Sequence, residues 1–394
     1  MTVGQLLFLR GARQVLTLRG SSGVRRGAAL DDLAVIEDGS LLIRDRVIEA
    51  VGSTRRLENL KEARSAIEVP VGNSIVMPAF VDSNLQINLV DEPGSAARRK
   101  RRSMGDFYDE SLTLLRSCLQ YGTLTAQVRA SAGTGDLRAD VSVLRRLAAI
   151  GDNPIGMVRA WRIDELPHST SPGKFDQVLS TLRNREFAHC VDVAAGTCNA
   201  LKGSAVLNAR EPANLTRINL TWNSDPALDL SHLLARYHPG CVFCPSRLSA
   251  KDIAILSNTA SVTIFSPGVD LLSGNSGHGL KKLVSAGGAV ALSTGYHSRL
   301  APAFSMQAVL TLAVLWQGLS AEQAITACTI NAAHALGRGH LTGTLEAGKR
   351  ADLLVLNVPD YREIPRRFGI NHVVMAIREG NVVFNRTRWK VSGA

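Results

Sequence analysis

Alternation of apolar and polar positions divides the chain into three stretches. In the first 75 residues short apolar runs recur at strand spacing. SLLIRDRVIEAVG (Ser40 to Gly52) sets two such runs around Arg44-Asp45-Arg46, which predicts a hairpin. The far end reads in the same way. Asp352-Leu353-Leu354-Val355-Leu356 is a short buried-strand run, and HVVMAIREGNVVF (His372 to Phe384) predicts strand–turn–strand with Glu379-Gly380-Asn381 turning. Two β segments at opposite ends can pair into one small sheet domain.

Between them strand-like runs alternate with helical ones. IVMPAFVDSNLQI is followed by DFYDESLTLLRSCLQYG, TLTAQVRAS, ADVSVLRRLAAIG and PIGMVRAW, and later by RINLTW, GCVFCP, SVTIFSPG and AVALSTG. Ser320, with Gln323 three residues on, forms a capping box for a helix that stops at Gly337. About eight strand candidates over roughly 260 residues favour a (β/α)8 barrel over a doubly wound sheet. No G-x-G-x-x-G joins a strand to a helix, so dinucleotide binding has no support.

Composition narrows the class. Apolar residues make up 45% of 394 positions, enough for a large core and against disorder. No window approaches the roughly 18 to 20 apolar residues of a membrane span. The amino-terminal apolar run is interrupted by Arg10 and Arg13, which argues against a secretory signal. A soluble, cytoplasmic protein with no membrane partner is expected. The six cysteines are too sparse for a disulfide framework. Cys241 and Cys244 have Cys-x-x-Cys spacing, but they sit in a strand-like run with no second pair, so buried strand cysteines are the favoured reading. Of the formal charge of +11, Arg98, Arg99, Lys100, Arg101 and Arg102 supply five. Such a run can hold anions, yet it lacks the interleaved aromatics on which bases stack. A solvated loop is favoured, and nucleic acid is not an expected partner.

The stretch LSAEQAITACTINAAHALGRGHLTGTLEAGKRADLLVLNVPDYREIPRRFGINHVVMAIREGNVVF resembles the carboxy-terminal part of imidazolonepropionase, in the metal-dependent amidohydrolase superfamily. The segment PDYREIPRRFG points to that family within the superfamily. AVIEDGSLLIRDRVIEAVG followed by IVMPAFVDSN matches its strand-rich opening and entry into the first barrel strand. The resemblance implies an α/β fold: a (β/α)8 TIM-like barrel over residues 77–340, with a small β-sandwich built from residues 1–76 and 341–394. It also implies hydrolysis of the cyclic amide of imidazolone propionate in histidine breakdown. One zinc or iron ion would activate a water and a barrel aspartate would handle the proton.

The residues at the matching positions depart from that chemistry. The family's His-x-His falls on Asn84 and Gln86, directly after Val81-Asp82-Ser83. Its next histidine falls on Thr221, the following one on Cys244, and the strand-eight aspartate on Gly295. The strand-three lysine becomes Arg129. Neutral amides and a hydroxyl are poor ligands for zinc or iron, so the metal site is expected to be lost and no cofactor is predicted.

The mouth also carries residues suited to other chemistry. Tyr296 and His297 follow the last strand, and His297 with Cys244 and Arg129 suggests a metal-free nucleophilic site; polar residues lining a relaxed pocket are the favoured alternative. Gly274, Gly277 and Gly279 follow strand seven but lack the Lys-Ser/Thr ending of a phosphate cradle. Three functions stay open: a catalytically degenerate amidohydrolase, an active hydrolase of non-peptide C–N bonds with a changed site, and a binding protein for an anionic ligand or partner at the mouth. By family analogy a homodimer is expected.

Overall fold

A computed structural model describes residues 6–20, 22–88, 104–131, 137–150, 153–163, 172–199, 217–244, 247–275, 278–298 and 300–386. The basic run at residues 98–102 and Gly277 lie outside these residues.

Two sheets organise the chain. The amino-terminal strands are β1 (Leu6–Leu16), β2 (Val35–Arg44), β3 (Val47–Ser53), β4 (Ile67–Pro70) and β5 (Ile75–Pro78). The barrel strands are β6 (Phe80–Asn88), β7 (Thr123–Ser131), β8 (Gly156–Ile163), β9 (Cys190–Ala194), β10 (Arg217–Thr221), β11 (Cys241–Phe243), β12 (Val262–Phe265) and β13 (Val290–Leu292). The carboxy-terminal strands are β14 (Leu353–Leu356), β15 (Val373–Arg378) and β16 (Asn381–Asn385).

Both ends contribute to one mixed sheet, in the order β16-β15-β14-β5-β1-β2-β3, with β4 beside β1. The hairpins lie where alternation predicts them. Asp45 turns the first with φ +53°, and Glu379 and Gly380 turn the second with φ +49° and +76°. Asn381 already belongs to β16. β5 runs across the expected junction at 76–77 and pairs with both β1 and β14.

The barrel strands follow one another in chain order and all pair in parallel, as βαβ connections demand. Leu85 and Tyr296 bridge the first strand to the segment after the last, and the Gln86 amide donates to the Tyr296 carbonyl at 2.9 Å. The outward strand face packs under helices, so it must be apolar. On β7 these residues are Leu124, Ala126, Val128 and Ala130, all fully buried. Trp161 of β8 stacks on Phe175 at 5.3 Å in this layer and donates its indole N–H to Asp140 at 2.9 Å.

The inner face is different. At the end where the strands begin, Val81, Val158, Ala160, Val262, Ile264 and Ala291 form a separate cluster around the helix Ile330–Ala335. Its small Ala332, Ala333 and Ala335 let a helix plug the barrel floor. The single helix expected from Ser320 to Gly337 is thus two, Ala321–Cys328 and Ile330–Ala335. Thr329 breaks it at φ −126°, ψ −94°, outside the helical region, and re-aims the plug.

Candidate functional site

Nearer the mouth the barrel interior is polar. Arg129 projects from β7 and is 5% exposed. Its Nη1 donates to Asn84 Oδ1 at 3.2 Å, its Nη2 donates to Thr221 Oγ1 at 2.8 Å, and its Nε lies 2.6 Å from Asp192 Oδ2. The guanidinium also lies over the Phe243 ring, 4.1 Å from its centroid. Asp192 in turn accepts from Asn219 Nδ2 at 2.6 Å and Gln127 Nε2 at 2.9 Å. Burial pushes the Asp192 carboxyl up, against the pull of Arg129 and the two amide donors.

Strand geometry explains the convergence. On β10, Arg217, Asn219 and Thr221 alternate with Ile218 and Leu220, and Leu220 joins the outer core. On β6 a register shift between Asp82 and Leu85 inserts extra residues opposite β7 and aims Asn84 at Arg129. Asp82 stabilises that bulge. Its Oδ1 accepts the Asn84 and Thr294 amides, each at 3.1 Å, and its Oδ2 accepts the Thr294 hydroxyl at 2.5 Å. Full burial raises the Asp82 carboxyl to about 6 even so.

The structure brings the side chains of Asn84, Arg129 and Thr221 together. Gln86 is half-buried, with Nε2 lacking a hydrogen-bond partner. Gly295 has φ +59°, and a Cβ there would lie 2.6 Å from Val269 Cγ2 and 2.7 Å from Ser266. A carboxylate side chain does not fit at this position without moving the backbone. Tyr296 is a backbone partner of β6. His297 exchanges backbone hydrogen bonds with Ala301 at 3.0 Å, and its Nδ1 accepts the Leu300 amide at 3.3 Å, which ties it to its own loop.

Cys244 requires a correction. Cys241 and Phe243 belong to the inner cluster, whereas Val242 and Cys244 belong to the outer core. Period-two alternation therefore turns Cys244 away from the barrel axis and gives the inner position to Phe243. Burial pushes its thiol well above the ordinary range, the opposite of an activated nucleophile. A Cys244–His297 pair is not part of this interior.

Sequence reasoning did not single out Asp82, Gln127, Asp192, Asn219 or Phe243. The signal existed: polar residues at every second position of β7 and β10 mark an inner face that is not an apolar core.

The residues present do not fit a divalent metal. Asn84 and Thr221 already engage a guanidinium, which would repel a second cation, and Gly295 offers no carboxylate. Among the described residues no group of three His, Cys, Asp or Glu is arranged to hold a metal ion.

The chain is similar to known proteins in sequence and in fold. The amidohydrolase family model matches residues 269–383. Imidazolonepropionase of Geobacillus kaustophilus is 27% identical over 433 aligned positions, covering 96% of this chain and 98% of that protein. Imidazolonepropionase of Chloroflexus aggregans is 28% identical, with the same two coverages of 96% and 98%. The chain is imidazolonepropionase-like over nearly its whole length. Among solved structures, E. coli guanine deaminase superimposes with a TM-score of 0.67 at 17% identity, covering 97% of this chain and 99% of that one. A. niger ochratoxinase gives 0.71 at 15% identity, covering 97% and 96%. Both likenesses concern the fold. This chain joins the barrel, an alanine-rich plug and the two-ended sheet to a polar interior that holds a buried arginine.

Proposed function

We propose that this chain is a catalytically degenerate relative of imidazolonepropionase, in which metal-dependent hydrolysis of a cyclic amide has been lost. One observation carries the reading: the Arg129 guanidinium holds Asn84 and Thr221 and is paired with Asp192. Two positions that would supply metal ligands are spent on a cation that belongs to the chain itself. Guanidinium does not lower the pKa of a bound water as zinc does, so it supplies no hydroxide at neutral pH. The absence of a carboxylate at Gly295 removes the proton acceptor as well. Six free, buried cysteines and the lack of a long apolar helix among the described residues support a cytoplasmic setting.

The test combines two measurements on the purified protein. Elemental analysis should find zinc and iron well below one equivalent, and the ultraviolet absorbance of imidazolone propionate should not decay faster with protein than without. Stoichiometric metal together with chelator-sensitive ring opening would overturn the reading.

A further inference from the structure

The opposite end of the barrel carries a cavity that the family reaction does not use. It has a volume of about 380 Å3 and lies where β8, β9 and β10 begin, beside the end of the plug helix. Arg183, Arg217, Arg338 and His189 line it, and among the described residues no carboxylate does.

The fold holds three of these groups in place. Gly337, at φ +69°, caps the plug helix, and the Arg338 amide donates to the Ala333 carbonyl at 2.7 Å. This cap turns Arg338 back onto the cavity. Arg217 lies across Gly240 and Gly337, where added Cβ atoms would come within 1.7 Å of its Nε and 2.7 Å of its Nη1. Its Nη2 donates to the His334 carbonyl at 3.3 Å. His189 accepts the Arg159 amide on Nδ1 at 3.0 Å, which leaves Nε2 as the donor of the neutral ring. Burial together with the Arg159 and Arg338 guanidiniums pushes His189 down to about 4, a sign of the positive field in this corner.

Like charges crowded into one half-buried cavity repel unless an anion joins them. We propose that this cavity binds a small, multiply charged organic anion through Arg217, Arg338 and His189. Guanidinium forks match carboxylate and phosphate alike, and the volume exceeds that of a single oxyanion and suits a small metabolite. Gln127, which donates to Asp192, also lines the cavity, but Arg217, Arg338 and His189 lie outside the contacts of Arg129 described above.

Calorimetric titration of the full chain with pyrophosphate and with citrate tests this. One saturable site is expected for at least one probe; pyrophosphate alone would mark a phosphate ligand, citrate alone a polycarboxylate. Arg338→Gln and Arg217→Gln should each weaken binding about tenfold or more, the loss of a charge-assisted contact. Gly240→Ala keeps every charge and should weaken binding by displacing Arg217. Melting without ligand checks folding, and the Arg338 variant suffices should Arg217→Gln fail to fold. Saturable binding of neither probe would overturn the proposal. So would binding that survives Arg338→Gln but disappears when residues 98–102 are neutralised.

Discussion

Arg129 and Asp192 form an ion pair inside the barrel, Nε to Oδ2 2.6 Å apart, with side chains 6% and 0% exposed. Such a pair is costly to desolvate and far more costly to break. Gln127 and Asn219 complete the carboxylate's shell, and Asn84 and Thr221 that of the guanidinium. The network satisfies both charges with interactions internal to the chain.

Removing one partner should therefore hurt more than removing both. Arg129→Met leaves a buried carboxylate without its cation and is expected to cost about 3–5 kcal/mol. Arg129→Met with Asp192→Asn should be more stable than Arg129→Met alone, because the uncompensated charge is gone. Urea unfolding of the parent, Arg129→Met, Asp192→Asn and the double variant measures this coupling. Purely additive losses would mean that the pair is not coupled.

Gly295 is a second position where the interior leaves no room for a larger side chain. Alanine there adds a Cβ 2.6 Å from Val269 on a left-handed backbone, and a loss of about 1–3 kcal/mol is expected. Gly295→Asp should be at least as destabilising and should confer no zinc binding, since Arg129 stays in place. Thermal unfolding with and without zinc checks both statements. A zinc-dependent rise in the melting midpoint of Gly295→Asp would contradict them.

The scaffold was legible because its determinants are local. The hairpin around Asp45, the strand pair around Gly380 and seven of the eight barrel strands, all but β9, follow from periodicity and turn chemistry. The site was legible only in part. Asn84 stood out because the neighbouring motif fixes its register, and Arg129 and Thr221 by looser motif matching, but their union around one guanidinium depends on three strands meeting in space. Cys244 misled because motif matching carries an uncertainty of one residue, and in a strand one residue exchanges the two faces. Asp192 sat unnoticed in a short apolar run, where a lone carboxyl reveals nothing of its partners.

Ser320 provides a check on a device visible in the sequence. Its hydroxyl accepts the Gln323 amide at 3.0 Å, the Gln323 side chain accepts the Ser320 amide at 3.3 Å, and the same hydroxyl donates to Asp31 at 2.9 Å. Ser320→Ala should cost about 1–2 kcal/mol, toward the upper end of capping losses because the Asp31 contact goes as well. Ser320→Thr should recover most of it in the same unfolding assay.

Asp82 yields a pH dependence whose sign follows from its environment. Burial raises its carboxyl from the ordinary 3.8 to about 6, so between these values the folded chain holds this proton more tightly than the unfolded one. The resulting stabilisation is present in acid and is lost as pH rises through about 6. The span corresponds to roughly 3 kcal/mol for this single group. Asp352 and Asp192 are also raised by burial and slope in the same direction, so the wild-type curve alone does not isolate Asp82. Asp82→Asn does: the amide oxygen can still accept the Asn84 and Thr294 amides, and the Thr294 hydroxyl can turn to accept from the new NH2. Relative to Asp82→Asn, the wild type should lose stability steadily between pH 4 and pH 6 and then run parallel to it. Urea midpoints across that range measure the difference, and curves parallel throughout would mean that Asp82 ionises in the folded chain as it does in the unfolded one.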